Sequence, residues 1–227
     1  MTNINIKDIK QYLKLQNKLR SQLTNISSYY HLPYGDMYFY NRLMSKQQSD
    51  KFMEGWVAHQ VGGQKIDGRT VPAEYKNKDL GDIQIGDTLI PNKNNIELKY
   101  SFDPKNSIGG GQLRLYEPVK WYIFFKGWHA NKYEMFLLSK DQLVKEIEER
   151  ANTSGLSAFV SSQRSGIFEG MDNAQKIKLL KDDMLTNKRQ DPIGWGFNTK
   201  TESGYYDDFK KKYQVTPDQV KKIVDEV

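Results

Sequence analysis

Two short runs carry the residues able to do chemistry: Gly81-Asp82-Ile83-Gln84-Ile85 and, after a turn, Ile96-Glu97-Leu98-Lys99-Tyr100. Alternate side chains of an extended strand share a face and lie roughly 6.6 Å apart. Glu97 and Lys99 therefore project together, while Ile96, Leu98 and Tyr100 project the other way, toward a core. In the first run Ile83, Ile85 and Leu89 share one face and Asp82, Gln84 and Thr88 the other. Pro91-Asn92-Lys93-Asn94-Asn95 is rich in turn formers, so the runs read as neighbouring antiparallel strands whose polar faces meet. Two carboxylates held close repel each other unless a cation neutralises them. A hard divalent ion that keeps several waters and accepts phosphate oxygens, Mg2+ above all, suits that donor set. An ammonium on the same face completes the equipment for hydrolysing a phosphodiester. The bland alternative is a solvated Glu–Lys pair on an exposed strand face.

The flanking elements must hold these runs in place. Ser45-Lys46-Gln47-Gln48 has the form of a capping box, and Phe52, Met53, Trp56, Val57 and Val61 then make an apolar stripe that stops at Gly62-Gly63, which predicts a helix. Downstream, Gly109-Gly110-Gly111 permits close backbone approach, and Gln112, Arg114 and Pro118 follow it. Tyr122 and Phe124 alternate with Ile123 and Phe125, so Trp121–Phe125 predicts a central strand covered on both faces. Tyr133, Met135 and Leu137 predict the next strand.

Asp82 with Glu97-Leu98-Lys99 resembles the signature of the PD-(D/E)xK nuclease superfamily, and residues 45–138 resemble its α/β restriction endonuclease-like core of helix, three-strand meander, helix and strand in a mixed central sheet. Gly81 stands where the family's name places proline. The resemblance implies a type II restriction endonuclease: Mg2+-dependent, sequence-specific cleavage of double-stranded DNA, leaving 5′-phosphate and 3′-hydroxyl ends. It implies Asp82 and Glu97 as metal ligands with the Leu98 carbonyl, and Lys99 as the group that handles the attacking water. Glu54 is implied as an accessory acidic residue, the alternative being a solvated surface glutamate. Gln112 and Arg114 resemble the pair carried on the helix after the acidic strand, where, with Gly110 and Gly111, they would touch the DNA backbone. It also implies a homodimer, because a palindrome presents the same edges twice, and pairing with a DNA methyltransferase. A repair or recombination nuclease of the same superfamily, or a DNA-binding module without catalysis, would share the same residues.

The rest of the chain sets limits. A length of 227 residues with 37% hydrophobic content suits one compact domain, and a net charge of +6 favours anionic partners. With no cysteine, and with His31, His59 and His129 scattered, disulfides, thiol nucleophiles and zinc sites have no basis. No Walker loop follows the triple glycine. No apolar run is long enough to cross a bilayer, and Met1-Thr2-Asn3 opens no secretion signal, so a cytoplasmic protein without membrane contact is expected. Helical spacing from about 6 to 30 predicts a long N-terminal helix, and capping boxes at Ser139 and Thr216, with a cap at Asp172, predict a helical layer over 139–227. Two loops there offer base-reading side chains: Gln163 and Arg164 in one, Lys188, Arg189, Asn198 and Lys200 in the other. The aromatic cluster around Tyr29, Tyr30, Tyr34, Tyr38, Phe39 and Tyr40 suits either packing or a DNA groove.

Overall fold

The computed structural model describes residue 14 and residues 26–69, 71–102, 106–154, 170–186 and 193–226. Helix α1 (Tyr34–Leu43) leads into α2 (Lys46–Gln60), which begins where the sequence predicts: Gln48 N donates to Ser45 Oγ, and Ser45 N to Gln48 Oε1. Strands β1 (Gly63–Lys65), β2 (Ile83–Ile85) and β3 (Asn95–Phe102) then form an antiparallel meander. Strand β4 (Ser107–Leu113) leaves that sheet. Strand β5 (Trp121–Trp128) returns to pair parallel with β3, and β6 (Lys132–Ser139) pairs antiparallel with β5, giving a mixed five-stranded sheet of order β1-β2-β3-β5-β6.

Alternation along β5 divides the core. Ile123 and Phe125 face Phe52, Trp56 and Val57 of α2, whereas Tyr122 and Phe124 face Phe136, Trp195 and Phe209 on the other side. Both faces are thus packed, as the continuous apolar run requires, and each large side chain so buried stabilises the fold by about 1.5–3 kcal/mol. Most of the N-terminal aromatic cluster packs inward. Tyr29 stacks on Tyr40, Tyr38 is buried against Phe102, and Tyr34 donates to the His129 carbonyl. Phe39 is the exception, at 60% exposure.

Two expectations are corrected. The helix expected at Gln112–Glu117 does not form: Gln112 and Leu113 end β4, and turn and loop run on to β5. Three glycines are poor helix formers, and a strand partner is at hand in β7 (Ile193–Asn198), which pairs antiparallel with β4 as a separate ribbon. The layer from 139 onward is therefore not purely helical. Ile193, Trp195 and Phe197 alternate with Gly194, Gly196 and Asn198, a period of two broken up for the eye by glycine. Helices α3 (Lys140–Ser154), α4 (Asn173–Thr186), α5 (Ser203–Tyr213) and α6 (Pro217–Asp225) make up the rest. The boxes at Ser139 and Thr216 close, and Asp172 caps α4 through Gln175 N. Ile26–Tyr29 is a 3-10 turn, and most of the predicted N-terminal helix lies outside the described residues. Among the described residues no helix is long and apolar enough to cross a membrane.

Candidate active site

The loop into β2 and the centre of β3 meet at one point. Asp82 N donates to the Ile96 carbonyl at 2.8 Å, and Leu98 N donates back to Asp82 Oδ2 at 2.8 Å. This reciprocal clasp sets the Asp82 carboxylate beside β3. Gly81 makes it possible: its φ is +79°, and a Cβ there would lie 2.6 Å from the Ile96 oxygen. Proline, fixed near −65°, cannot occupy this position. Asn95, fully buried at the start of β3, braces the same corner by donating to Leu80 O at 3.0 Å and Pro118 O at 2.5 Å and accepting from Lys120 N at 3.2 Å.

Asp82, Glu97, Leu98 and Lys99 line a cleft of about 550 Å³, together with Lys46, Asp50 and Glu54 from α2, Tyr100, Ser101 and Phe102 from β3, and Gly109, Gly110, Gly111 and Gln112 from β4. All four residues assigned to catalysis thus share one cavity. Lys99 Nζ donates to Glu97 Oε1 at 2.6 Å, and Glu54 is ion-paired to Lys65 of β1. A Cβ at Gly110 would lie 2.6–2.9 Å from the Lys99 methylenes, so β4 passes over Lys99 at a distance only glycine allows. After it, Gln112 has φ +56° at a break in the β4–β7 register. A non-glycine residue in that conformation is uncommon and clusters at ligand-binding positions.

The electrostatics are unfavourable without a partner. Burial, then the charges of Glu97 and Glu54, push the Asp82 carboxyl well above the usual carboxylate range, against the Leu98 N–H and Lys99. Burial also raises Glu97, and Lys99 only partly offsets it. A divalent cation would relieve both, and the donors available, two carboxylates with the Leu98 backbone beside them, are the hard oxygens Mg2+ takes. Among the described residues no three acidic or imidazole groups already converge on one point.

Other assigned residues fall elsewhere. Arg114 is not on the cleft; it pairs with Asp79 at 3.1 Å behind Glu97. Asn198 Oδ1 accepts from Lys200 N and Thr201 N, a turn-forming role at the end of β7, and Lys200 is exposed. Gln163, Arg164, Lys188 and Arg189 lie outside the described residues.

Sequence reasoning missed Lys46 and Asp50. They precede Glu54 at intervals of four on α2, so all three occupy one helical face, and that periodicity was the available signal. Asp50 accepts from the Tyr100 hydroxyl, a contact no local pattern encodes. No family model, curated protein or solved structure matches this chain.

Proposed function

We propose that this chain is a Mg2+-dependent deoxyribonuclease hydrolysing phosphodiesters of double-stranded DNA, of the restriction endonuclease type. The observation that carries the reading is the gathering of Asp82, Glu97, Lys99 and Glu54 around one cleft open enough to admit a sugar–phosphate backbone. Asp82 and Glu97 would hold the ion, with the Leu98 carbonyl. When bound, Mg2+ neutralises the carboxylate pair and polarises the phosphoryl group.

The protein's own groups do the rest. Lys99, which donates to Glu97 Oε1, would turn to the attacking water and the scissile phosphate when Glu97 holds the ion. Held against the Gly110 backbone, its ammonium orients the water and stabilises charge gathering on the phosphoryl oxygens. Water attacks phosphorus in line, the bond to the 3′-oxygen breaks, and the proton the water gives up is matched by the one the departing 3′-oxygen takes from solvent, leaving 5′-phosphate and 3′-hydroxyl ends. Gln112 and the bare backbone of Gly110 and Gly111 form the wall along which a strand would lie. Net charge of +6 assists approach of the polyanion. A twofold dimer reading a palindrome, with a methyltransferase protecting host sites, belongs to the same reading.

The test is digestion of mapped plasmids with Mg2+ or with chelator. Discrete bands that require Mg2+ and vanish in Asp82→Ala and Lys99→Ala support it. Unaltered plasmid under all conditions refutes it, and a smear or cutting restricted to branched or damaged DNA assigns a repair nuclease instead.

A further inference from the structure

Behind Glu97 lies a second, narrow space lined by Asp79, Glu97, Arg114, Glu117, Val119 and Tyr122, with no room for a water molecule. Tyr122 pairs in register with Glu97 across the parallel β3–β5 ladder, so the two side chains leave the sheet on the same face. Its hydroxyl is fully buried and has no hydrogen-bond partner among the described residues. Burial, then the charges of Glu97, Asp79 and Glu117, hold the phenol protonated far above its ordinary range, so it is a donor without an acceptor. A buried donor left unpaired is unfavourable, and here no water can enter to satisfy it.

Carboxylates of Asp79, Glu97 and Glu117 line the same space, and Glu117 Oε2 is also without a partner; of the three, Glu97 is the one that shares a register position and a sheet face with Tyr122. Glu97 Oε1 now accepts from Lys99 Nζ. We propose that Tyr122 is a positioning residue for Glu97: when Glu97 turns one oxygen to a bound divalent cation, its other oxygen accepts the Tyr122 hydroxyl, which fixes the carboxylate and releases Lys99 toward the substrate. The hydroxyl, unpaired in this structure, is paired once Glu97 has turned. The proposal rests on the nuclease reading only in taking Glu97 as a metal ligand.

The experiment needs no DNA. Thermal melts of wild type, Tyr122→Phe and Glu117→Gln are recorded across a MgCl2 titration at constant ionic strength, and the Mg2+ concentration at half of the maximal shift in Tm is read for each. Outer-sphere hydrogen bonds to metal ligands typically carry 10–100-fold in affinity, so Tyr122→Phe requires about tenfold more Mg2+, while its metal-free Tm equals or exceeds that of wild type. Glu117→Gln stays within about twofold of wild type. A Tyr122→Phe titration matching wild type overturns the proposal, as does a lower metal-free Tm with unchanged Mg2+ dependence, which is the signature of a packing role alone. A tenfold loss in Glu117→Gln as well assigns the effect to the charge behind Glu97 rather than to the Tyr122 hydroxyl and equally overturns it. If wild type shows no Mg2+-dependent shift at all, the failure lies with Glu97 as a ligand and with the nuclease reading itself.

Discussion

Gly81→Ala tests whether the site is placed by one backbone conformation. At φ +79° an alanine is strained by about 1–2 kcal/mol. Its methyl would also sit 2.6 Å from the Ile96 oxygen, 2.8 Å from the Ile96 carbon and 3.1 Å from Glu97 N. These are backbone atoms that cannot swing aside, and the Ile96 oxygen already accepts from Asp82 N. Overpacking of this kind adds about 1–3 kcal/mol, for a destabilisation of about 3 kcal/mol in all. For a chain of this length that is a fall in Tm of roughly 6–12 °C. The overlap falls on the contact that sets Asp82 beside Glu97, so the carboxylates move apart, and a displacement near 1 Å costs about 100-fold in rate. Differential scanning calorimetry and single-turnover cleavage at a temperature where the variant is folded are the assays. Gly68→Ala is the control, since a Cβ there meets nothing within 4 Å. A Gly81→Ala protein that melts within 2 °C of Gly68→Ala and cleaves as fast would refute the reasoning.

Three further outcomes are expected. Asn95→Ala leaves Leu80 O and Lys120 N without these partners, while Pro118 O still accepts from Asn92 N; with about 1–3 kcal/mol for each of the groups left unpaired and partial relaxation, chemical denaturation should show a loss of about 2–4 kcal/mol. Asp82→Asn retains an oxygen for the Leu98 N–H while removing a buried negative charge beside Glu97, so at pH 8 without metal it should be more stable than wild type by about 0.5–2 kcal/mol and gain nothing from Mg2+; a metal-free loss of stability contradicts the electrostatic account. The pH profile has two limbs. Glu134, which burial would raise, is instead held below the usual range by Tyr206, Trp128 and Lys210, and Glu146 likewise by Tyr205, Tyr213 and Lys212. Their stabilisation is present above the unfolded carboxylate value and lost as pH falls through the lowered folded one. Asp82 and Glu97, raised by burial, act oppositely: their contribution is present at low pH and lost as pH rises through their folded values. Metal-free Tm should therefore peak at mildly acidic pH, and Mg2+ should raise Tm at pH 8 but not at pH 5.

What the sequence made legible was local. The box at Ser45, the alternation through Ile96–Tyr100 and the two-faced run at Trp121–Phe125 each state their conformation within a few residues, and together they place Asp82, Glu97, Lys99 and Glu54 on one cleft. What was not legible depended on distant partners. Strand β4 exists because β7, about 85 residues on, offers it a ladder, and the glycines of both strands masked their period of two. Arg114 was assigned to the substrate on the assumption of a helix; once Gln112 and Leu113 extend as strand, the chain turns Arg114 to Asp79. Glu54's pairing with Lys65 is likewise a tertiary fact, set by α2 lying across β1.

The contrast among buried polar groups bears most directly on where function lies. Away from the cleft the buried carboxylates are well served. Glu134 accepts from Trp128, Tyr206 and Lys210, and Glu146 from two tyrosines and Lys212. Around the cleft the same chain leaves two carboxylates above their ordinary range, a tyrosine hydroxyl and Glu117 Oε2 without partners, and a glutamine in the left-handed region. A sequence able to satisfy Glu134 so completely could have filled this region with apolar residues at no loss of stability. Several departures from local rules gathered in one place mark a region where stability is set against function. A cation held by Asp82 and Glu97 would relieve the two carboxylates, and the rotation of Glu97 proposed above would pair the Tyr122 hydroxyl.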